Sequence, residues 1–224
     1  MISSKLISEL EEKLGYQFKN KRYLTLALTH SSYANEHNMD CNERLEFLGD
    51  AVLELSMTNY LYNVIDLDEG VLTKTRAKAV CEAALNIYAS KIDFSKYLIL
   101  GKGEESTGGR TRPAIIADGM EAVLGAIFLD SNFENALGVV ERLFLPHIDE
   151  VLRLRDYKSL LQEKLQSEKR TIKYEIVKEE GPANDKLFEA VVFMDEILMG
   201  RGTGKTKKEA QQMAAKSALE KEAR

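Results

Sequence analysis

The first part of the chain alternates apolar and polar residues with a period of three to four, which places the apolar residues on one face of a helix. Residues 2–14 follow this pattern up to Gly15, and residues 21–28 follow it after Asn20, a plausible helix cap. Residues 29–36, which read THSSYANE, are polar and predict a turn that carries His30 as a hydrogen-bonded structural residue. Residues 71–92 predict one or two further helices.

Residues 42–53, which read NERLEFLGDAVL, predict a helix with one acidic face and one apolar face. The carboxylates on the acidic face are Glu43, Glu46 and Asp50. The apolar face is formed by Leu45, Leu48, Val52 and Leu55. Like charges so close together raise one another's pKa, and a divalent cation would relieve the repulsion. The alternative is an acidic face that is simply solvated, but the lack of Lys or Arg at i+4 weakens it.

Phe47 lies among the carboxylates on the outward face of this helix. A large aromatic side chain in such a place usually has a partner.

A second acidic pair lies in residues 113–130, which read PAIIADGMEAVLGAIFLD and predict a helix that is buried on nearly every side. Asp118 and Glu121 are its only charges between Ala114 and Leu129. Burying two unpaired carboxylates is costly unless they are protonated, paired or bound to a metal. We therefore expect the two acidic helices to share one site with oxygen ligands, which favours Mg²⁺ or Mn²⁺ over Zn²⁺.

The glycine-rich residues 101–113 predict a mobile loop that carries Arg110 and Arg112. The charged residues that follow His147 predict a linker at 149–155, between domains at 1–148 and 156–224. Residues 156–166 predict an amphipathic helix with Leu160, Leu161 and Leu165 facing inward. Three strand-like runs (171–179, 186–194 and 196–202) and a helix over about 206–222 follow. The C-terminal domain is therefore predicted to have the order α-β-β-β-α.

The start of the last helix carries both a cap and a positive cluster. Thr206 and Glu209 form a capping box, whereas Lys205, Lys207 and Lys208 oppose the helix dipole. An external anion such as a phosphate backbone explains lysines at this place. The neighbouring GRGTGKT resembles a P-loop, but Met199 stands where that motif needs glycine, so we expect no nucleotide cofactor.

Composition and charge exclude several classes of protein and indicate where a nucleic-acid partner could bind. The 224 residues carry a net charge of −5, distributed unevenly: residues 153–224 have 16 Lys and Arg against 13 Asp and Glu, a net +3, and the remainder has −8. Two isolated cysteines and three histidines argue against zinc and disulfide frameworks. The sequence predicts no membrane span and no signal peptide, so we expect a cytoplasmic protein with reduced thiols.

The chain resembles bacterial ribonuclease III over nearly its whole length. The resemblance rests on NERLEFLGD (42–50), DEG (68–70) and ADGMEAVLGAIFLD (117–130), and residues 156–224 are similar to the double-stranded RNA-binding domain. It implies an all-α catalytic domain, followed by an α+β RNA-binding domain, in a two-fold homodimer. It assigns the metal to Glu46, Asp50, Asp118 and Glu121, of which Asp50 and Glu121 are the catalytic residues. Glu43 and Glu69 take auxiliary acidic positions, and Phe47 inserts into the partner subunit.

The resemblance also implies the reaction and the substrate. A metal-activated water attacks the phosphodiester of double-stranded RNA, and the products are 5′-phosphate and 3′-hydroxyl ends with a short 3′ overhang. Ribosomal RNA precursors and other structured transcripts are the expected substrates. The residues expected to contact RNA are Gln162, Glu163, Gln166, Asn184, Lys205, Lys207, Lys208, Arg110 and Arg112. Two alternatives remain at this point: a regulator that binds double-stranded RNA without cutting it, and a structural dimer whose acidic helices pair with basic partners.

Overall fold

The computed structural model describes residues 3–64, 66, 68–152, 157–182 and 186–222. The chain divides into two compact units, Met1–Leu154 and Arg155–Arg224. Each has its own hydrophobic core. The predicted fold class is confirmed, since the first unit is helical and the second combines three strands with two helices. Within the described ranges no helix is both long enough and apolar enough to cross a bilayer.

The first unit contains ten α-helices within its described residues. They are α1 (Ser4–Leu14), α2 (Lys21–Leu28), α3 (Ser31–His37), α4 (Glu43–Val64), α5 (Glu69–Val80), α6 (Glu82–Lys91), α7 (Lys102–Ser106), α8 (Pro113–Asp130), α9 (Phe133–Leu143) and α10 (Ile148–Leu152). Three 3-10 turns lie at Phe94–Tyr97, Gly109–Thr111 and Leu145–His147. Helix α8 is buried along most of its length, as its apolar sequence predicts.

Two predictions for the first unit were wrong in detail, and the bounds of a third overlap a helix. Residues 31–37 form a helix rather than a turn, because the His30 side chain caps it by accepting a hydrogen bond from the backbone N–H of Ser32 at 3.2 Å. Leu55, expected on the apolar face of α4, is 55% exposed. The predicted linker at 149–155 also overlaps α10, in which Val151 is fully buried, whereas 153–155 lie outside the described residues.

Helices α4 and α8 cross with almost no space between their backbones. A Cβ atom at Gly49 would overlap the backbone carbonyl oxygen of Glu121, and one at Gly125 would overlap that of Leu45. Only glycine permits this approach, because every other residue carries a Cβ that would push the helices apart. The crossing therefore fixes which residues of α4 and α8 face each other.

The second unit has the predicted α-β-β-β-α order. Its elements are α11 (Tyr157–Ser167), β1 (Ile172–Glu180), β2 (Leu187–Met194), β3 (Ile197–Gly204) and α12 (Lys207–Glu222). The sheet is antiparallel in the order β1-β2-β3, and Phe188, Ala190 and Val192 of β2 join its core. Leu161 and Leu165 of α11 are fully buried as predicted, but Leu160, also expected to face inward, is 46% exposed.

The glycines of GRGTGKT serve helix packing. Gly200, Gly202 and Gly204 alternate along β3 and so lie on one face of the strand. A Cβ at any of them would meet the backbone of α12 near Ala210 or Ala214. This P-loop-like segment is therefore mostly a β-strand against which an alanine-rich helix packs closely.

Substitution of Gly49 by alanine should destabilise the first unit by about 3 kcal/mol, since its Cβ meets a main-chain oxygen that no side-chain rotation can move. Urea unfolding followed by helical circular dichroism measures the change. Gly138→Ala in α9 is the matched control, because a Cβ there has nothing within 4 Å. It should stabilise the unit by about 0.5–1 kcal/mol. Equal unfolding midpoints for Gly49→Ala and the unchanged protein would contradict the close crossing.

Candidate active site

The crossing of α4 and α8 brings the predicted carboxylates into mutual electrostatic range. Burial, followed by the charges of Asp118, Glu43 and Asp50, raises the pKa of Glu46. Burial raises the pKa of Glu121 to about 8, with further contributions from Asp50, Asp118 and Glu46. These shifts link side chains that lie some 70 residues apart in sequence. The expected meeting of two acidic helices is therefore present in the structure.

The environment of Asp118 includes two residues that the sequence did not single out for this site. Burial raises its pKa, the nearby His30 lowers it, and Glu82 at the start of α6 raises it again. His30 is not sequence-adjacent to any acidic motif, and Glu82 has no pattern around it, so only the tertiary structure could place them here.

The side-chain geometry is that of an acidic cluster rather than a preformed metal cage. Within the described ranges, no three His, Cys, Asp or Glu side chains are placed to hold one ion as they stand. The donor atoms available at the crossing are nevertheless carboxylate oxygens, the ligands that hard divalent cations prefer. No lysine or arginine contributes to the pKa shifts of Glu46, Asp118 or Glu121; the basic side chain that does contribute is His30, which lowers the pKa of Asp118.

The two residues at auxiliary acidic positions, Glu43 and Glu69, have different surroundings. Glu43, in the first turn of α4, contributes to the raised pKa of Glu46. Glu69, in the first turn of α5, accepts a hydrogen bond from Thr73 Oγ1 at 2.9 Å and lines a cavity of about 220 Å³ between α4 and α5. Glu69 is not among the groups that shift the pKa of Glu46, Asp118 or Glu121.

The predicted loop at 101–113 is folded, contrary to expectation. It consists of α7 and a 3-10 turn, closed by ion pairs from Arg110 to Glu105 at 2.5 Å and from Arg112 to Glu104. The Arg110 guanidinium also donates to the carbonyl oxygens of Ser95 at 2.6 Å and Leu98 at 3.0 Å. Arg110 therefore holds the loop to its neighbours, which the composition of the loop did not reveal.

The lysine cluster lies at the start of α12, and its capping box is formed. Thr206 Oγ1 accepts from the backbone N–H of Glu209 at 3.1 Å, and the Glu209 carboxylate accepts from that of Lys205 at 2.7 Å. Lys207 lies 3.8 Å from the Glu179 carboxylate and above the ring of Phe188, and Lys208 is exposed.

Of the other RNA-contact candidates, Gln162 and Gln166 are exposed on α11. Asn184 lies outside the described residues, as does the side chain of Glu163.

Comparison with known proteins decides the family. A family model described as Ribonuclease-III-like matches residues 20–148, and one described as double-stranded RNA binding motif matches residues 157–222. Ribonuclease 3 of Oceanobacillus iheyensis is 51% identical over 221 residues, which cover 96% of this chain and 97% of that protein. Ribonuclease 3 of Listeria monocytogenes is 49% identical over 220 residues, 95% of this chain and 96% of that protein. The chain belongs to the ribonuclease III family.

A solved structure agrees with this assignment. The nuclease domain of ribonuclease III from Campylobacter jejuni is 40% identical, with a TM-score of 0.59, and the match covers 62% of this chain and 99% of that one. This member of the family is thus an endoribonuclease for double-stranded RNA, with a helical nuclease unit and a unit that matches the double-stranded RNA-binding motif. The prediction of an enzyme is confirmed over that of a non-cleaving regulator.

The raised pKa of Glu121 predicts how the stability of the metal-free protein changes with pH. From its ordinary value of 4.5 up to about 8, only the folded state keeps the proton, so the contribution of Glu121 to stability falls as the pH rises. Glu121→Gln removes this loss and should be more stable than the unchanged protein at pH 8 by about 1 kcal/mol, a value reduced for partial solvent screening. Near pH 5 the two should differ little.

Thermal unfolding in EDTA at both pH values measures this difference. Glu12→Gln, at an exposed glutamate of α1, controls for the loss of one negative charge. A lower melting temperature for Glu121→Gln than for the unchanged protein at pH 8 would contradict the prediction.

Proposed function

We propose that this ribonuclease III cleaves double-stranded RNA with Mg²⁺, or Mn²⁺ in its place, held by Glu46, Asp50, Asp118 and Glu121. The observation that carries the proposal is the raised pKa of Glu121, which is caused first by burial and then by the charges of three carboxylates from both helices of the α4–α8 crossing. A site that keeps a carboxyl group protonated at neutral pH, with no basic residue to relieve it, fits a divalent cation.

A cation held by these residues would supply Lewis-acid stabilisation of the phosphate and a more acidic water. Glu121 would have to lose its proton to serve as a ligand, so binding of a divalent cation should release protons. The family resemblance makes Asp50 on α4 and Glu121 on α8 the catalytic residues. Glu46 and Asp118 would complete the oxygen ligands. Glu43 adds negative charge beside Glu46, and Glu69 keeps the auxiliary acidic position that the family resemblance gives it.

The products are 5′-phosphate and 3′-hydroxyl ends with a short 3′ overhang. Such chemistry suits the processing of ribosomal RNA precursors and other structured transcripts in the cytoplasm. We keep residues 1–148 as the catalytic and dimerisation domain and 156–224 as the RNA-binding domain. The linker between them stays at residues 149–155, the first four of which belong to α10.

Attraction for RNA must come from outside the acidic crossing, because the carboxylates repel phosphates. Lys205, Lys207 and Lys208 are suited to phosphates between successive minor grooves of A-form RNA, since they surround a helix N-terminus. Gln162, Glu163 and Gln166 on α11 and Asn184 before β2 would meet 2′-hydroxyl groups. Arg112 is available at the nuclease unit if it exchanges Glu104 for phosphate, whereas Arg110 has more intramolecular bonds to give up.

Glu121→Gln tests the metal site with minimal change in shape. With Mg²⁺ and a long, uniformly labelled RNA duplex, it should cut about 10²-fold more slowly or worse, because it loses both charge and proton acceptor. Affinity for the same duplex should stay unchanged, since binding depends on the other unit. Glu134→Gln, at an exposed glutamate of α9, is the control. Undiminished cutting by Glu121→Gln, or equal cutting by the unchanged protein in EDTA, would refute the assignment.

We also propose a homodimer formed through α4. Phe47, Leu55 and Tyr62 are 83%, 55% and 77% exposed, and their spacing puts them within one arc of about 80° on the helix. Large apolar side chains on one exposed helix face indicate a protein partner. A second copy of the chain presents the same face, as isologous packing requires. The Campylobacter jejuni nuclease domain was described with a region involved in dimer formation.

Phe47→Asp should convert the dimer to monomers, because it places a charge in the centre of the apolar contact. Sedimentation velocity in the micromolar range measures the change. Val177→Asp is the matched control, since Val177 is an exposed apolar residue on β1 of the other unit. Dimers that persist in Phe47→Asp would refute this interface.

A further inference from the structure

Glu179 lies in a row of three residues that crosses the sheet of the second unit at the end where α12 begins. It pairs with Phe188 of β2, which in turn pairs with Gly204 of β3. Residues opposite one another in antiparallel strands point to the same face, so Glu179 lies beside the Phe188 side chain. A Cβ at Gly204 would overlap the backbone of Ala210, so the first turn of α12 packs over the same end of the sheet. The strand β1 and the helix α12 therefore come together at Glu179.

The Glu179 carboxylate holds one lysine from each of two segments. One of its oxygens accepts a hydrogen bond from Nζ of Lys186, the residue directly before β2, and the other lies 3.8 Å from Nζ of Lys207 on α12. The Lys207 Nζ also lies 5.6 Å from the centre of the Phe188 ring, within the range of a cation–π interaction. The ring and the carboxylate together therefore fix the Lys207 ammonium group.

This cluster of two lysines and one glutamate can still bind an anion. Two ammonium groups against one carboxylate leave a positive charge, and each ammonium group has further N–H donors beyond the one that a carboxylate oxygen accepts. The side chains of Lys186 and Lys207 are 40% and 62% exposed, so a phosphate can reach both. Without the carboxylate, the two positive charges would repel each other. Glu179 therefore keeps two cations close together at an accessible surface.

We propose that Glu179 is a positioning residue for RNA binding, which holds Lys186 and Lys207 as a pair that contacts neighbouring phosphates. The inference rests on the proposed RNA contact at the start of α12 and adds Lys186 to it. A lysine side chain loses much rotational freedom when it is fixed, and fixing it before RNA arrives lowers the cost of binding. Lys186 also follows Asn184 by two residues, so the pair connects the two segments of this unit that are expected to contact RNA.

Glu179→Gln separates positioning from simple charge, because the two predict changes of opposite sign. The substitution removes a negative charge, so electrostatics alone should tighten the binding of RNA. If Glu179 positions the lysines, the variant should instead bind about threefold more weakly. Glu175→Gln is the matched control, because Glu175 lies on the same strand and pairs with Lys173 of that strand at 2.7 Å. It should bind RNA no more weakly than the unchanged protein.

Fluorescence anisotropy of a labelled RNA duplex of about 20 base pairs, titrated with the full chain in EDTA, measures the affinity. Lys186→Gln should also bind more weakly, and its slope of log K against log salt should be smaller by about one, because one phosphate contact is lost. The losses of Glu179→Gln and Lys186→Gln should not add in the double variant, since both act on the same contact. Equal or tighter binding by Glu179→Gln overturns the proposal, and so do fully additive losses.

Lys207→Gln distinguishes this failure from failure of the proposed RNA contact. If Lys207→Gln binds the duplex as the unchanged protein does, the contact at the start of α12 is wrong, and the role of Glu179 is wrong with it. If Lys207→Gln binds weakly and Glu179→Gln does not, only the role of Glu179 is refuted. Thermal unfolding shows whether Glu179→Gln is folded at the temperature of the titration. Weak binding caused by loss of folding means that Glu179 is structural, which also overturns the proposal.

Discussion

The near-contact between the backbones of α4 and α8 is the constraint on which the active site depends. Gly49 and Gly125 allow it, because a methyl group at either position would overlap the main chain of the other helix. Asp50 directly follows one of these glycines, and Glu121 lies one helical turn before the other. The same close approach brings the carboxylates of the two helices near each other, and burial together with the neighbouring charges raises the pKa of Glu46 and Glu121.

Holding a cation and attracting RNA need surface charges of opposite sign, and the two units carry these charges separately. Carboxylates that can hold a cation repel the phosphates of RNA, so a single surface cannot easily do both. In the proposed division, the attraction for RNA comes from the second unit, which carries its lysines around the first turn of α12. Its own stability comes from a different close approach, that of an alanine-rich helix over the alternating glycines of β3. Binding and chemistry can therefore be altered separately.

Departures from the expected pattern occur where local sequence competes with tertiary contacts. Leu55 has the spacing of a core residue, yet the core side of α4 is occupied by Leu53, Ser56 and Met57, and Leu55 faces outward. Residues 101–113 have the composition of a mobile loop, but Arg110 has enough acceptors in its surroundings to fix it. The residues next to Leu55 do not show which side of α4 the other helices cover. The residues next to Arg110 do not show where its hydrogen-bond acceptors lie.

The sequence alone determined the fold class, the α-β-β-β-α order of the second unit and the presence of two acidic helices, because helical periodicity, alternation in strands and unpaired acids in a buried helix are local signals. The tertiary structure alone decided how closely α4 and α8 approach, and that His30 and Glu82 lie beside Asp118. These facts depend on contacts between residues far apart in the chain. The periodicity of one segment does not show which residues of a distant segment pack against it.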